Sequence, residues 1–358
     1  MKNFSNIFIF SIFSSALFLA GCRDPIFYDI NQEVELNSSQ IDGDVNSIAR
    51  FGDYLITQNG YVWYKSASST TNGEWHKMAS IPDGGTVWKI ATNADYIYAI
   101  SKTYEEDTDS SSDYEGELVM NSSHVYRANS IDDSWELVDT SYLGSGYYAV
   151  TIFCTDDATN SDNRHAFVRM SNGSVHELTS SVTALSASTV YIDSTGTMTT
   201  SSVAAACLNG TVYFSDYPAI ASDGTTLYWA KTSDTIYYGT SMTATGSKDV
   251  DCSDILSIAI TSDKLFLGTK SGAYHVSRNS DGSITSEASS SFDTNARSVL
   301  SSYYYIWLVF ALDPTTSETA NTLYASTVYK GSAGASASYW KNQCLWSYYP
   351  SRGNWNCE

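Results

Sequence analysis

The sequence predicts an all-β fold built from repeated small sheets, and three observations carry that prediction. Beyond residue 22, no window of about 12 residues keeps the 3.6-residue apolar period of a helix. Strand-forming residues abound, with 27 Tyr and 13 Phe against 5 Pro, and the short apolar runs are separated by turns bearing Gly, Asn or Asp, as hairpins require. Finally, one unit recurs along the chain: an apolar strand, a turn, and a second Tyr-rich or aliphatic strand.

The N-terminal segment comes first. Lys2 is followed by an apolar run from Ile7 to Ala20, broken by Ser11, Ser14 and Ser15, then by Leu19-Ala20-Gly21-Cys22. A charged start, an apolar middle and small residues make up a secretory signal. The run is too short and too serine-broken for a membrane-spanning helix of about 20 apolar residues. Within residues 22–44, Phe27, Tyr28, Ile30, Val34 and Leu36 form a candidate strand that leads into the fold.

The repeated unit begins with Ser47–Ile56 and returns as Lys89–Tyr98, Ala204–Tyr213 and Ser257–Phe266. Two more degenerate copies fit the series. One is Val150–Cys154 with Ala166–Met170, and the other is Val299–Ser301 with Ile306–Ala311. Taking Tyr54, Tyr96, Ala166, Val212, Leu265 and Trp307 as markers, the intervals are 42, 70, 46, 53 and 42 residues. Blades of propeller folds repeat every 40–50 residues or so. The long interval contains two insertions, the acidic Tyr104–Glu117 and the polar Thr155–Arg164. A third strand and an outer strand follow in the first two copies: Tyr61–Tyr64 with Glu74–Met78, and Val125–Arg127 with Ser134–Val138, each outer strand carrying a Trp. The expected body, residues 45–358, is therefore a single β-propeller of six blades of four antiparallel strands, with seven blades as the alternative. Terminal strands close the ring, because an open ring exposes sheet edges.

Charge and cysteines narrow the setting. The chain has 19 basic and 39 acidic residues, a net charge of −20, which repels nucleic acid and keeps an exported protein dispersed. Beyond Cys22 there are Cys154, Cys207, Cys252, Cys344 and Cys357. Cys344 and Cys357 flank Trp346, Tyr348, Tyr349 and Trp355 and are the disulfide candidate, a staple on a terminal hairpin.

No motif downstream defines a reaction. There is no CxxC, no Cys/His cluster and no helical His-Glu pattern for zinc, so His76, His124, His165, His176 and His275 read as solvated strand residues. The acidic insert Tyr104–Glu117 lacks the EF-hand order, and its interleaved serines favour disorder. Asp107 and Asp109 there, and Asp157 and Asp162 in the second insert, are the calcium candidates. Ser222–Trp229 comes close to a sialidase-type box but lacks one residue, and reads as a hairpin turn. No G-x-S-x-G nucleophile elbow is present. No cofactor is implied. Tyr303, Tyr304, Trp307, Tyr339 and Trp340 exceed what an alternating strand needs and are the expected exposed binding patch.

Leu19-Ala20-Gly21-Cys22 resembles the bacterial lipobox. That resemblance implies that residues 1–21 are a signal peptide, that Cys22 becomes the acylated mature N-terminus, and that residues 22–44 tether it to the fold. Arg23 in place of an aspartate favours the outer membrane over the inner. The lipobox, the short tether and the repeats together resemble bacterial envelope lipoproteins with propeller-like bodies. The function expected is a non-enzymatic module, anchored to the membrane by lipid, that binds another protein. The alternatives are a carbohydrate-binding or glycan-active surface protein, and a structural adhesin.

Overall fold

The computed structural model describes residues 39–138, 146–155, 164–178, 185–187 (backbone only), 202–230, 234–250, 252, 254–285, 300, 304–329 and 343–358. The chain divides into two compact units, Met1–Gln40 and Ile41–Glu358, and the second holds every strand described below. Cys22, the Phe27–Leu36 strand, Asp157, Asp162, Tyr303, Tyr339 and Trp340 lie outside the described residues.

Among the described residues the fold is strands, with one short 3-10 turn at Glu318–Ala320. The strands form seven antiparallel sheets in chain order. The first holds β1 (Ile48–Phe51), β2 (Tyr54–Gln58), β3 (Val62–Ser66) and β4 (His76–Lys77). The second holds β5 (Thr86–Thr92), β6 (Ile97–Glu106), β7 (Leu118–Ala128) and β8 (Glu136–Val138). The third holds β9 (Ala149–Thr155), β10 (His165–Met170), β11 (Val175–Leu178) and β12 (Leu185–Ala187). The fourth is the pair β13 (Ala204–Leu208) and β14 (Thr211–Ser215). The fifth holds β15 (Ile220–Ser222), β16 (Leu227–Ala230), β17 (Thr235–Gly239) and β18 (Gly246–Asp249). The sixth holds β19 (Ile255–Ile260), β20 (Lys264–Thr269) and β21 (Gly272–Ser277). The seventh holds β22 (Tyr304–Ala311), β23 (Leu323–Tyr329), β24 (Leu345–Tyr349) and β25 (Asn354–Cys357).

Among the described residues there are seven sheets, against an expectation of six repeats with seven as the alternative. The interval between Val212 and Leu265 holds the whole fifth sheet, because β15 begins only a few residues after β14. Ser222–Leu227 is indeed a hairpin turn, joining β15 to β16. At the other end, Tyr304–Ala311 is the first strand of its sheet and not the second. The acidic insert is also ordered by hydrogen bonds. It caps the β6–β7 hairpin, with Asp107 N–H donating to Glu117 C=O at 2.8 Å and Gly116 N–H donating to Asp107 C=O at 2.8 Å.

The first strand of each sheet lies beside the first strand of the next, and β22 lies beside β1. Between the first two sheets these strands run in the same direction: Ile90 N–H donates to Ser47 Oγ, and Thr92 Oγ1 donates to Arg50 C=O. The apolar core accordingly lies between sheets. Val87, Ile90, Ile97 and Ala99 of the second sheet pack with Ile56 and Val62 of the first, whereas Ile100, Tyr98 and Val125 pack with Ile152, Ala166 and Val168 of the third. Phe266 of the sixth sheet packs with Ile306, Val309 and Trp355 of the seventh. The repeated outer tryptophans have the same task. Trp75 and Trp135 are buried, and Trp135 Nε1 donates to Ala79 C=O across to the preceding sheet's exit.

The last strands meet the start of this unit. Ile41 N–H donates to Glu358 C=O at 3.0 Å, Leu345 N–H to Ile41 C=O at 3.1 Å, and Gly43 N–H to Gln343 C=O at 2.9 Å. Ser326 Oγ donates to Val45 C=O. Cys344 and Cys357 are joined by a disulfide with their Cα atoms 6.6 Å apart.

Candidate functional site: an aromatic end of the sheets

A recurring irregularity in the first strands builds the candidate site. In the second sheet Val87 faces Ser101 and Lys89 faces Ile100, leaving Trp88 as an extra residue. In the seventh, Ile306 faces Thr327 and Leu308 faces Ser326, leaving Trp307 extra. The third and sixth sheets skip Val150 and Leu256 in the same way. A β-bulge of this kind re-aims the side chain it carries. In both tryptophan-bearing strands the inward residues flank the bulge: Val87 and Ile90, and Ile306 and Val309, are all buried. Trp88 and Trp307 are turned outward, 40% and 45% exposed.

These tryptophans lie near the starts of the first strands. In each antiparallel sheet that end also carries the connection between the second and third strands and the connection arriving from the previous sheet. Nearly all of the exposed large apolar side chains among the described residues lie there. Tyr61 is in the β2–β3 turn. Tyr104, Tyr114 and Leu118 are on the β6–β7 hairpin. Tyr147 and Tyr148 precede β9, and Tyr217 precedes β15. The exception is Leu137 on the outer strand β8. Neighbouring sheets are joined at this end: Val87 N–H donates to Gly60 C=O at 2.8 Å, and Asn46 Nδ2 to Trp88 C=O at 2.9 Å.

Two lysines sit on the exposed rings. Lys77 Nζ lies 3.5 Å from the Tyr61 ring centroid and 5.0 Å from that of Trp63, and Lys102 Nζ lies 3.9 Å from that of Trp88. Such stacking is worth about 0.5–1 kcal/mol at exposed sites. Burial lowers the Lys102 pKa. Among the described residues Lys77, Lys89 and Lys102 have no carboxylate partner, although acids outnumber bases two to one in this chain. This end also holds the pairs Lys270–Asp254 at 2.6 Å and His124–Asp83 at 3.1 Å, and the other end is stitched by further ion pairs. Arg164 pairs with Asp95 at 3.1 Å, Arg278 with Asp223 at 2.8 Å, and Lys264 and His275 with Glu318 at 2.6 and 3.2 Å.

Of the residues expected to form the patch, Trp307 is exposed. Tyr304 is not: it is 1% exposed and packs against Phe266 and Tyr329, because it falls on the inward side of β22 ahead of the bulge. Trp88, Tyr61, Tyr147 and Tyr148 were missed. The signal for Trp88 was available as two inward apolar residues spaced by three, which a regular strand cannot place on one face.

His76 is exposed, as expected of a strand histidine, whereas the other four have polar partners. His124 Nδ1 lies 3.1 Å from Asp83 Oδ2, His165 Nδ1 lies 2.5 Å from Glu177 Oε1, and His275 faces Glu318. His176 pairs its Nε2 with Ser174 Oγ at 2.8 Å, and burial lowers its pKa. Asp107 and Asp109 accept hydrogen bonds from Ser112 and Ser111 of their own turn, which lower both pKa values. Among the described residues no group of three or more His, Cys, Asp or Glu side chains is placed to hold a metal ion.

No protein-family model and no curated protein matches the chain. Solved structures do resemble it. A PQQ-bound aldose sugar dehydrogenase from Streptomyces coelicolor is similar with a TM-score of 0.46 at 10% identity, covering 86% of this chain and 95% of its own. BBS1N, solved in complex with ARL6DN, is similar with a TM-score of 0.45 at 12% identity, covering 89% and 98%. YCF48 from Cyanidioschyzon merolae is similar with a TM-score of 0.38 at 10% identity, covering 89% and 86%. These neighbours have propeller-type folds. At such scores and identities, nothing of their activities is carried over to this chain.

Proposed function

We propose that this chain is a closed seven-bladed β-propeller, anchored to the bacterial envelope by lipid on Cys22, and that it is a non-enzymatic module that docks another protein on its aromatic end. The observation that carries this reading is the segregation of exposed rings. Fold placement alone does not require Trp88 and Trp307 to leave the core, yet a bulge turns each of them out at the same end as most of the other exposed large apolar groups. Tyr and Trp supply large, stiff contact area and are enriched at interfaces. The succession of neighbouring first strands from β1 to β22 and back supports the ring.

The Leu19–Cys22 pattern supports the anchor, and Arg23 supports the outer membrane. Several acyl chains hold a protein on a bilayer where one holds it only marginally. Cys22→Ser should move the protein from the detergent phase to the aqueous phase on Triton X-114 partition. Retention in detergent would remove the anchor from the account.

A further inference from the structure

We propose that the β6–β7 hairpin captures a basic, extended segment of a partner protein by strand addition along β7. This inference rests on the docking reading above and names the partner's chemistry.

The registers leave a two-stranded ribbon standing beyond its sheet. β5 pairs with β6 no further than Thr86 with Lys102, and β8 pairs with β7 over Val125–Arg127. The pairs beyond, from Thr103 with Ser122 to Glu106 with Leu118, have no third strand among the described residues. Alternate residues of an antiparallel strand direct their N–H and C=O groups away from the neighbour they already have. Residues 118–124 therefore carry an open row of donors and acceptors, a template for another strand. Hydrogen bonds among Asp107, Gly116 and Glu117 close the tip, so the edge is in place before a partner arrives.

The side chains give that edge a face to cover. Directly opposed residues of an antiparallel pair share a face. Tyr104 opposes Met120 and Glu106 opposes Leu118, so Tyr104, Met120 and Leu118 lie on one face of the ribbon. Tyr104 is 46% exposed and Leu118 is 74% exposed. The other face carries Glu105 opposite Val119.

Charge selects the partner. Between Lys102 and His124 the chain has no basic residue, and Glu105, Glu106, Glu115 and Glu117 are exposed. A second copy of this ribbon would bring like charges together, which disfavours self-pairing. Bulges and charges blunt an edge against indiscriminate pairing, and Asn121, the extra residue between Ser122 and Met120, is such a bulge. For a segment of opposite sign the same carboxylates become an attraction. A strand alternating Lys or Arg with apolar residues fits both faces, its ammonium or guanidinium groups beside Glu105 and its apolar groups beside Tyr104 and Leu118.

The test uses the full-length protein in detergent and a short fluorescent peptide that alternates Lys with Val. Its companions are the same peptide N-methylated at alternate residues, in each of the two frames, and a version with Glu in place of Lys. The Lys peptide should bind by fluorescence anisotropy. One N-methylated frame should bind about tenfold more weakly than the other, because one frame alone faces β7. The Glu peptide should not bind. Glu105→Gln with Glu106→Gln, and separately Leu118→Ser, should each weaken the Lys peptide by about fivefold, whereas Asp132→Asn in the exposed turn before β8 should leave it unchanged. Unchanged melting curves for these exposed sites would exclude misfolding. Crosslinking at Tyr61 and Trp307, which lie off the ribbon, tests the docking reading separately, so capture there without peptide binding would sink strand addition alone. Absence of binding by the Lys peptide, equal affinities of the two N-methylated frames, or equal binding of the Glu peptide would overturn the proposal.

Discussion

Lys65 Nζ and Glu358 Oε2 lie 2.8 Å apart, and both side chains are fully buried. One comes from the third strand of the first sheet, and the other follows the last strand of the seventh. Lys65 also donates to Tyr349 Oη at 2.6 Å and to Thr71 C=O at 2.9 Å. Glu358 accepts from Trp75 Nε1 at 2.7 Å, Gly73 N–H at 3.0 Å and Tyr349 Oη at 2.7 Å. Burial lowers the Lys65 pKa, and Glu358 opposes that shift. Removing one partner strands a buried charge, which costs about 3–5 kcal/mol, whereas replacing both with apolar groups is far milder. Lys65→Met and Glu358→Gln should therefore each lower the urea midpoint strongly, and Lys65→Met with Glu358→Leu should recover much of the loss. Equal, small effects of all three would show that the pair does not join the two sheets.

The Cys344–Cys357 disulfide acts on the same junction, one residue from Glu358. Closing a loop of this length contributes roughly 3 kcal/mol in the chain-entropy model. Cys344→Ser with Cys357→Ser should lower unfolding free energy by about that amount. Because the bridge and the ion pair share a segment, combining the serines with Lys65→Met should cost less than the sum of the separate losses. Strict additivity would mean that the bridge does not position Glu358.

Lys89 gives the fold a defined pH response. Its side chain keeps some contact with solvent but is surrounded by protein, and burial lowers its pKa from 10.5 to about 8. Between those values the unfolded chain holds more protons than the folded one, so stability rises as pH rises through that window. Below about 8 the folded protein carries the cost of a charged, poorly solvated ammonium. Lys89→Met should be more stable than the parent at pH 7, and the two should converge as pH approaches 10. Urea midpoints for both proteins over that range would reveal this, and parallel curves would refute it.

The β6–β7 hairpin is a protrusion from the second sheet. Protease should cut its tip within residues 107–117, since loop tips are the preferred sites of nicking. The two pieces should stay together through size-exclusion chromatography and unfold in one transition, because β6 and β7 remain paired from Ile97–Ala128 outward. Two separately eluting folded fragments would contradict a single ring.

The sequence reveals some of these features and hides others for physical reasons. The all-β class, the hairpin at Ser222–Leu227 and the Trp-bearing outer strands were legible, because turn residues and strand composition act locally. The fifth sheet was hidden because β14 and β15 are nearly continuous, and a marker interval of 53 residues can conceal one short sheet. Tyr304 and Trp307 look alike as exposed aromatics until the bulge between Ile306 and Leu308 sorts them to opposite sides. The pairing of Lys65 with Glu358 spans 293 residues, so no local pattern reports it.

The central claim is that the aromatic end is the docking face. A photo-crosslinking amino acid placed in turn at Tyr61, Trp307 and Leu137, in cells of the native host, tests it directly. The account predicts that Tyr61 and Trp307, at one end of the sheets, capture the same protein by mass spectrometry, while Leu137 on the outer strand captures none. Capture from Leu137 alone, or of unrelated proteins from all three positions, would contradict it.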